Sequence, residues 1–113
     1  MKFIFEVTVK DGYTVEEYAK AWLEASRIIQ QTPGARGTWL HRKIGTDDTL
    51  LAIAEWDSKQ ARDAKNDDAD EVVRSIMARH ARYCDIRVIG EFEEPEWHVP
   101  PPNERADTDD GNP

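Results

Sequence analysis

The chain has 113 residues and a formal net charge of −8, which sets the expectation of one domain around one small core. The charge is lopsided: residues 1–93 carry 17 acids against 14 bases, and residues 94–113 carry 6 acids against a single base. There is no Lys/Arg stripe to neutralise phosphates, no apolar run of membrane-spanning length and only one cysteine, Cys84, so nucleic acid, a membrane span and an internal disulfide are excluded as expectations.

The opening segment, MKFIFEVTVK, is too short and too alternating to read as a signal peptide, and a cytoplasmic protein is expected. Over Lys2–Lys10, Phe3, Phe5, Val7 and Val9 face one way and Ile4, Glu6 and Thr8 the other, the period of a strand with one face in a core. Asp11-Gly12 supplies a turn. Thr14 and Glu17 have the spacing of a capping box, and Val15, Tyr18, Trp22, Ala25 and Ile29 then recur at helical spacing. This helix is expected to run to about Gln31 and to stop before Pro33-Gly34. Ala35–Ile44 reads as a more polar, edge strand, and Gly45–Asp48 as a hairpin turn. Leu50–Trp56 is apolar on both faces until Glu55, which suits a central strand. Ser58 can cap a short helix running through Lys65, with Asn66-Asp67-Asp68 interrupting it. Asp68 and Glu71 resemble a second capping box. It opens a helix to about Arg82, with the apolar stripe Val72, Val73, Ile76, Met77 and His80. Tyr83–Phe92 is the last strand, with Ile86, Val88 and Phe92 placed on one side.

The order β-α-β-β-α-β predicts an α+β, ferredoxin-like domain over residues 1–93: a four-stranded antiparallel sheet with helices on one face. Residues 94–113 form an acidic, Pro-rich tail with Trp97 and Val99 as its apolar anchors. Strand parity leaves Ile4, Glu6, Thr8, Trp39, His41, Leu51, Ile53, Glu55, Arg87 and Ile89 on the sheet face away from the helices. That set is too apolar for water and too charged for a plain core, so a homodimer packed through this face is expected, with the charges paired across it.

Three stretches, Thr32–Gly37, Ala54–Trp56 and Ser58–Ala61, make the chain resemble the dimeric α/β-barrel superfamily and within it the antibiotic-biosynthesis monooxygenase-like proteins. The resemblance implies the same fold, pairing of two protomers into a dimeric α/β barrel, and a cofactor-independent monooxygenase acting on a small aromatic or polyketide-like compound. Haem-degrading and quinone-forming relatives line a pocket with an Asn on the first strand, a Trp ending the third and often a His on the second helix. Trp56 matches that Trp and His80 that His, but Glu6 is what the first strand offers in place of the Asn. This departure argues against haem, and no cofactor is expected.

The residues give several candidates. His80 could act as a base towards a phenol, or could be a helix-end histidine held by a hydrogen bond. Trp22, Trp56, Tyr18 and Tyr83 could wall a pocket for an aromatic ligand, or could be core. Glu6 and Glu55 could form a proton-transfer pair for isomerisation if close together, or could be ion-paired structure. His41, His80, His98 and Cys84 lack metal-ligand spacing, so no metal site is expected. A rival to enzymatic function is a binding or assembly module whose tail clasps the interface.

Overall fold

The alternating first residues form strand β1 (Lys2–Val9), and a strand so apolar lies inside the sheet rather than at its rim. A computed structural model of the chain describes residues 1–64 and 67–103. After β1 come helix α1 (Val15–Ile29), strands β2 (Ala35–Arg42) and β3 (Thr49–Trp56), helices α2 (Lys59–Asp63) and α3 (Asp67–Ala78), a 3₁₀ turn at Ala81–Tyr83, and strand β4 (Cys84–Phe92). The sheet order is β2-β3-β1-β4, antiparallel throughout, which is the ferredoxin-like arrangement. The polar β2 is an edge strand and the doubly apolar β3 a central one, as their patterns predict.

Local chemistry sets most of the boundaries. The Thr14 hydroxyl accepts from the Glu17 amide at 3.1 Å, and Glu17 Oε1 accepts from the Thr14 amide at 3.1 Å, closing the capping box of α1. The Ser58 hydroxyl accepts from the Ala61 amide at 3.0 Å and starts α2. Paired residues point to the same face, so Phe3, Phe5 and Val7 share the helix side with Ala54, Ala52 and Leu50. Val7, Val9, Val15, Tyr18, Leu50 and Cys84 form the buried centre. A second cluster, Ala21, Ala25 and Ile76, joins α1 to α3. Burying a Val- or Leu-sized side chain contributes roughly 1.5–3 kcal/mol, so these two clusters dominate the fold's stability.

Three expectations are corrected. A bulge in the β1–β4 ladder lets Ile4 pair with Gly90 and Phe5 with Val88, so parity inverts along β4. Gly90 takes the positive φ of +154° there. Glu91 therefore sits opposite Phe3 on the helix side and Phe92 opposite Lys2 on the open side, contrary to the grouping of Phe92 with Ile86 and Val88. Second, α3 begins at Asp67 and ends at Ala78, so Asp68 lies inside the helix instead of capping it, and His80 lies beyond its end. Third, Val72 is exposed, because α3 turns Val73, Ile76 and Met77 towards α1 instead. Of the expected interruption Asn66–Asp68, Asn66 lies outside the described residues, as does the tail beyond residue 103, while Asp67 and Asp68 belong to α3.

Candidate functional site

Between the sheet and its helices lies a cavity of about 640 Å³. Its floor is the helix side of the sheet, with Phe3 and Phe5 from β1, Ala54 and Trp56 from β3 and Thr38 from β2. α1 contributes Tyr18, Trp22, Ala25, Ser26 and Ile29, which recur at helical spacing and so share one face. α3 contributes Asp70, Val73, Arg74 and Met77, again one helical stripe, and α2 closes the side with Arg62 and Asp63. Aromatic side chains with a few charged groups beside them give the cavity a lining that could hold a flat, apolar molecule with polar substituents.

The corner beside this cavity is built by the motifs that the sequence singled out. Gly34 takes φ +90°, a left-handed conformation, and a Cβ there would stand 2.5 Å from the Cβ of Ala61. The Asp57 amide donates to the Gly34 carbonyl at 2.8 Å, Ala35 pairs with Trp56, and Arg36 lies 3.4 Å from the Asp57 carboxylate. Thr32–Gly37 and Ala54–Ala61 are thus two sides of one joint, which fixes Trp56 in the cavity wall. Arg62 lies with its guanidinium 3.9 Å from the Phe3 ring centre and donates to Glu91 at 3.1 Å. Lys59 reaches the same carboxylate at 3.2 Å, so α2 is fastened to β4 through Glu91.

Of the expected aromatic wall, Tyr18, Trp22 and Trp56 line the cavity and Tyr83 does not. Tyr83 stacks on Tyr13 with ring centres 4.9 Å apart and 10° between planes. Tyr13 also shares a short hydrogen bond with His80 Nδ1. His80 belongs to that cluster and is not among the lining residues. Burial raises the Tyr18 phenol well above its ordinary pKa, so this hydroxyl stays protonated and can only donate or accept a neutral hydrogen bond. Burial likewise raises the thiol of Cys84.

Glu6 and Glu55 both lie on the open face, away from the cavity, and the sheet holds them apart: Glu6 is opposite Leu51 and Glu55 opposite Lys2. Glu6 pairs within its own chain, with Arg87 at 3.3 Å and Lys43 at 3.6 Å. The hydrogen bond from Lys2 at 3.1 Å holds the Glu55 carboxyl below its ordinary pKa, the opposite of what a proton-transfer pair needs. Sequence reasoning passed over Phe3, Phe5, Arg62, Asp70 and Arg74 as site residues. A signal for the last two was present, since positions 70, 73, 74 and 77 form one helical stripe with both charges on it.

With this geometry in view, the family model for antibiotic biosynthesis monooxygenase matches residues 1–74, most of the chain and every lining residue except Met77. SnoaB, a cofactor-independent oxygenase from Streptomyces nogalater, superposes with a TM-score of 0.62 at 14% identity, covering 85% of this chain and 96% of that one. A conserved protein of unknown function from Bacteroides thetaiotaomicron gives 0.63 at 11% identity, covering 77% and 89%. A conserved protein from Methanosarcina mazei gives 0.58 at 9% identity, covering 80% and 92%. At such identities the likeness is one of fold. No curated protein matches the chain.

Proposed function

The chain belongs to the antibiotic biosynthesis monooxygenase family, and on that premise we propose that it oxidises a small aromatic, polyketide-like phenol with molecular oxygen, without a cofactor and as a homodimer. The observation that carries the reading is the aromatic cavity of about 640 Å³ between the sheet and α1 and α3. Its volume falls within the range of sites for small molecules, and Phe3, Phe5, Trp22 and Trp56 give it the aromatic lining that a planar substrate needs. The fold shared with SnoaB, itself a cofactor-independent oxygenase, is consistent with a reaction in which the substrate supplies the electrons.

The chemistry needs a proton acceptor and a dry pocket. Deprotonation of the phenol gives a phenolate whose ring carbon is electron-rich. That carbon passes electrons to O₂ and forms a C–O bond, giving a hydroperoxide once the proton returns. Loss of one water then leaves a quinone carbonyl, so one phenol and one O₂ yield one quinone and one H₂O. Asp70, half-buried in the cavity wall, is the proposed proton acceptor, a role that the sequence suggested for His80. Tyr18, kept protonated by burial, is the proposed donor to the substrate oxygen. Trp22 and Trp56 would hold the ring.

The test is oxygen uptake across a panel of dihydroxy-naphthalenes and related phenols. Turnover is expected with one O₂ consumed per quinone and no peroxide released. Asp70→Asn should lower kcat at least tenfold, in line with loss of a general base, while changing KM little. Trp56→Ala should raise KM. Unchanged turnover in His80→Ala supports the carboxylate, and loss of turnover there with Asp70→Asn active would return the role to the imidazole. No turnover across the panel, with no ring compound bound, would overturn the enzymatic reading in favour of an assembly module.

The homodimer rests on the open face of the sheet. Trp39, Ile89 and Phe92 are exposed there beside the half-buried Ile4, Leu51 and Ile53, a connected apolar patch on one protomer.

A further inference from the structure

Three hydroxyl groups in the cavity wall have no part in the chemistry proposed above. Along α1 the lining stripe runs Trp22, Ser26, Ile29 and, just past the helix end, Thr32, whose amide donates to the Ile29 carbonyl at 2.9 Å. Across the sheet, Thr38 pairs with Ala54 and Ala54 with Phe3, so Thr38 stands in one row with Phe3 on the helix side. Ser26 is only 7% exposed. A serine inside a helix can turn its hydroxyl back to the carbonyl four residues earlier. Ser26 does not: among the described residues, neither its hydroxyl nor those of Thr32 and Thr38 have a hydrogen-bond partner. Elsewhere the lining is apolar, with Phe5, Trp22 and Met77 packed against the buried centre of the fold. A hydroxyl left unpaired among apolar groups costs free energy that a bound oxygen recovers.

We propose, on the reading of the cavity as an aromatic-substrate site, that Ser26, Thr32 and Thr38 form a subsite for a second, neutral oxygen of the substrate, a hydroxyl or keto group remote from the one that reacts. The positions suit such a group. Trp22 and Ser26 are one helical turn apart, with Cβ atoms about 5–6 Å from each other, so a ring lying against Trp22 brings its edge to Ser26. Tyr18, the proposed donor to the reacting oxygen, is two turns from Ser26, about 12 Å along the helix axis, so Tyr18 and Ser26 hold different oxygens. Neutrality follows from the charges. The lining sets Arg62 and Arg74 against Asp63 and Asp70, and Arg62 already donates to Glu91, so an anionic substituent gains no net attraction. A hydroxyl or keto oxygen, by contrast, matches side chains that both donate and accept.

Titration calorimetry of the full-length chain tests this with three probes: β-naphthol, the naphthalenediol carrying a second hydroxyl at the opposite end of its long axis, and the hydroxynaphthoic acid with a carboxylate at that end instead. The diol is expected to bind about tenfold more tightly than β-naphthol, the worth of one or two neutral hydrogen bonds. In S26A/T38V that preference should vanish while the affinity for β-naphthol holds, and S26A alone should lose part of it. Ser26→Ala puts the best helix former into α1, so the helix itself is not weakened. Equal binding of diol and naphthol by the wild type would overturn the subsite and leave the aromatic cavity standing. A preference undiminished in S26A/T38V would also overturn it, because the second oxygen would be held elsewhere. So would an acid bound more tightly than the diol, with that advantage lost in Arg74→Gln, which would give this end of the cavity to a charge. No binding of any of the three probes would overturn the subsite and the aromatic reading together.

Discussion

Glu55 and Glu16 are surface carboxylates, and each has one well-placed cation. Lys2 donates to Glu55 at 3.1 Å, and Arg42 donates to Glu16 at 2.6 Å. Both hydrogen bonds hold the carboxyl below its ordinary value. A carboxyl whose pKa is lower folded than unfolded adds stability that is present above the unfolded value, about 4.3 for Glu, and that disappears as pH falls through the folded one. The melting temperature followed by circular dichroism should therefore hold from pH 7 to about pH 5 and then drop, with part of the drop removed in the E16Q/E55Q chain. Because both pairs are solvent-facing, high salt should shrink that part further. An identical acid limb in the double variant would assign it to other carboxylates. At this scale the sequence was legible where chemistry is local. The Thr14–Glu17 box and the Ser58 cap need only neighbours along the chain. His80 was not, since its place is set by Tyr13, 67 positions away.

Joints between elements depend on close backbone approach, and among the described glycines Gly34 has the closest neighbour. A side chain there would have to adopt a left-handed φ, costing about 1–2 kcal/mol, and would collide with Ala61 at 2.5 Å. Overpacking of this kind adds typically about 1–3 kcal/mol. Gly34→Ala is thus expected to lose about 2–5 kcal/mol in urea unfolding, and Ala61→Gly in the same chain should restore part of it by removing the opposing methyl. If Gly34→Ala unfolds like the wild type, the joint is looser than its contacts imply. The sequence marked both sides of this joint as motifs without revealing that they touch. Element type and order were readable because periodicity reports burial directly. The bulge at Ile4/Phe5 was not, because one extra residue in β4 leaves its alternation looking regular while moving Phe92 across the sheet. The end of α3 at Ala78 was missed for a related reason, since Arg79–Arg82 is helix-compatible and only the entry into β4 forces the chain into a tighter turn.

Taken whole, the protomer puts the cavity and the proposed contact with a second copy on opposite sides of one sheet. The cavity uses the helix face, through Phe3, Phe5, Ala54 and Trp56, and the open face carries Ile4, Leu51, Ile53 and Trp39. Faces were assignable from parity for β1, β2 and β3, which is why the expected apolar patch was legible. Its charges proved to pair inside the chain, through Glu6 with Arg87 and Lys43, so they do not demand a partner. The proposed assembly then rests on apolar area, and a charge placed in the middle of that area should be decisive. Ile53 lies between Ile4 and Trp39 across the ladder, so Ile53→Asp puts a carboxylate at the centre of the proposed contact. An uncompensated buried charge costs roughly 3–5 kcal/mol, which would raise the dimer dissociation constant by about two orders of magnitude or more. Sedimentation should show lone protomers at concentrations where the wild type is paired, and the far-UV spectrum should be unchanged because the site is open in a protomer. Since the cavity faces the other way, ligand binding at Trp56 should survive in this variant. An Ile53→Asp chain that stays dimeric would place the contact elsewhere. One that loses both pairing and cavity binding would show that the sheet transmits the state of one face to the other.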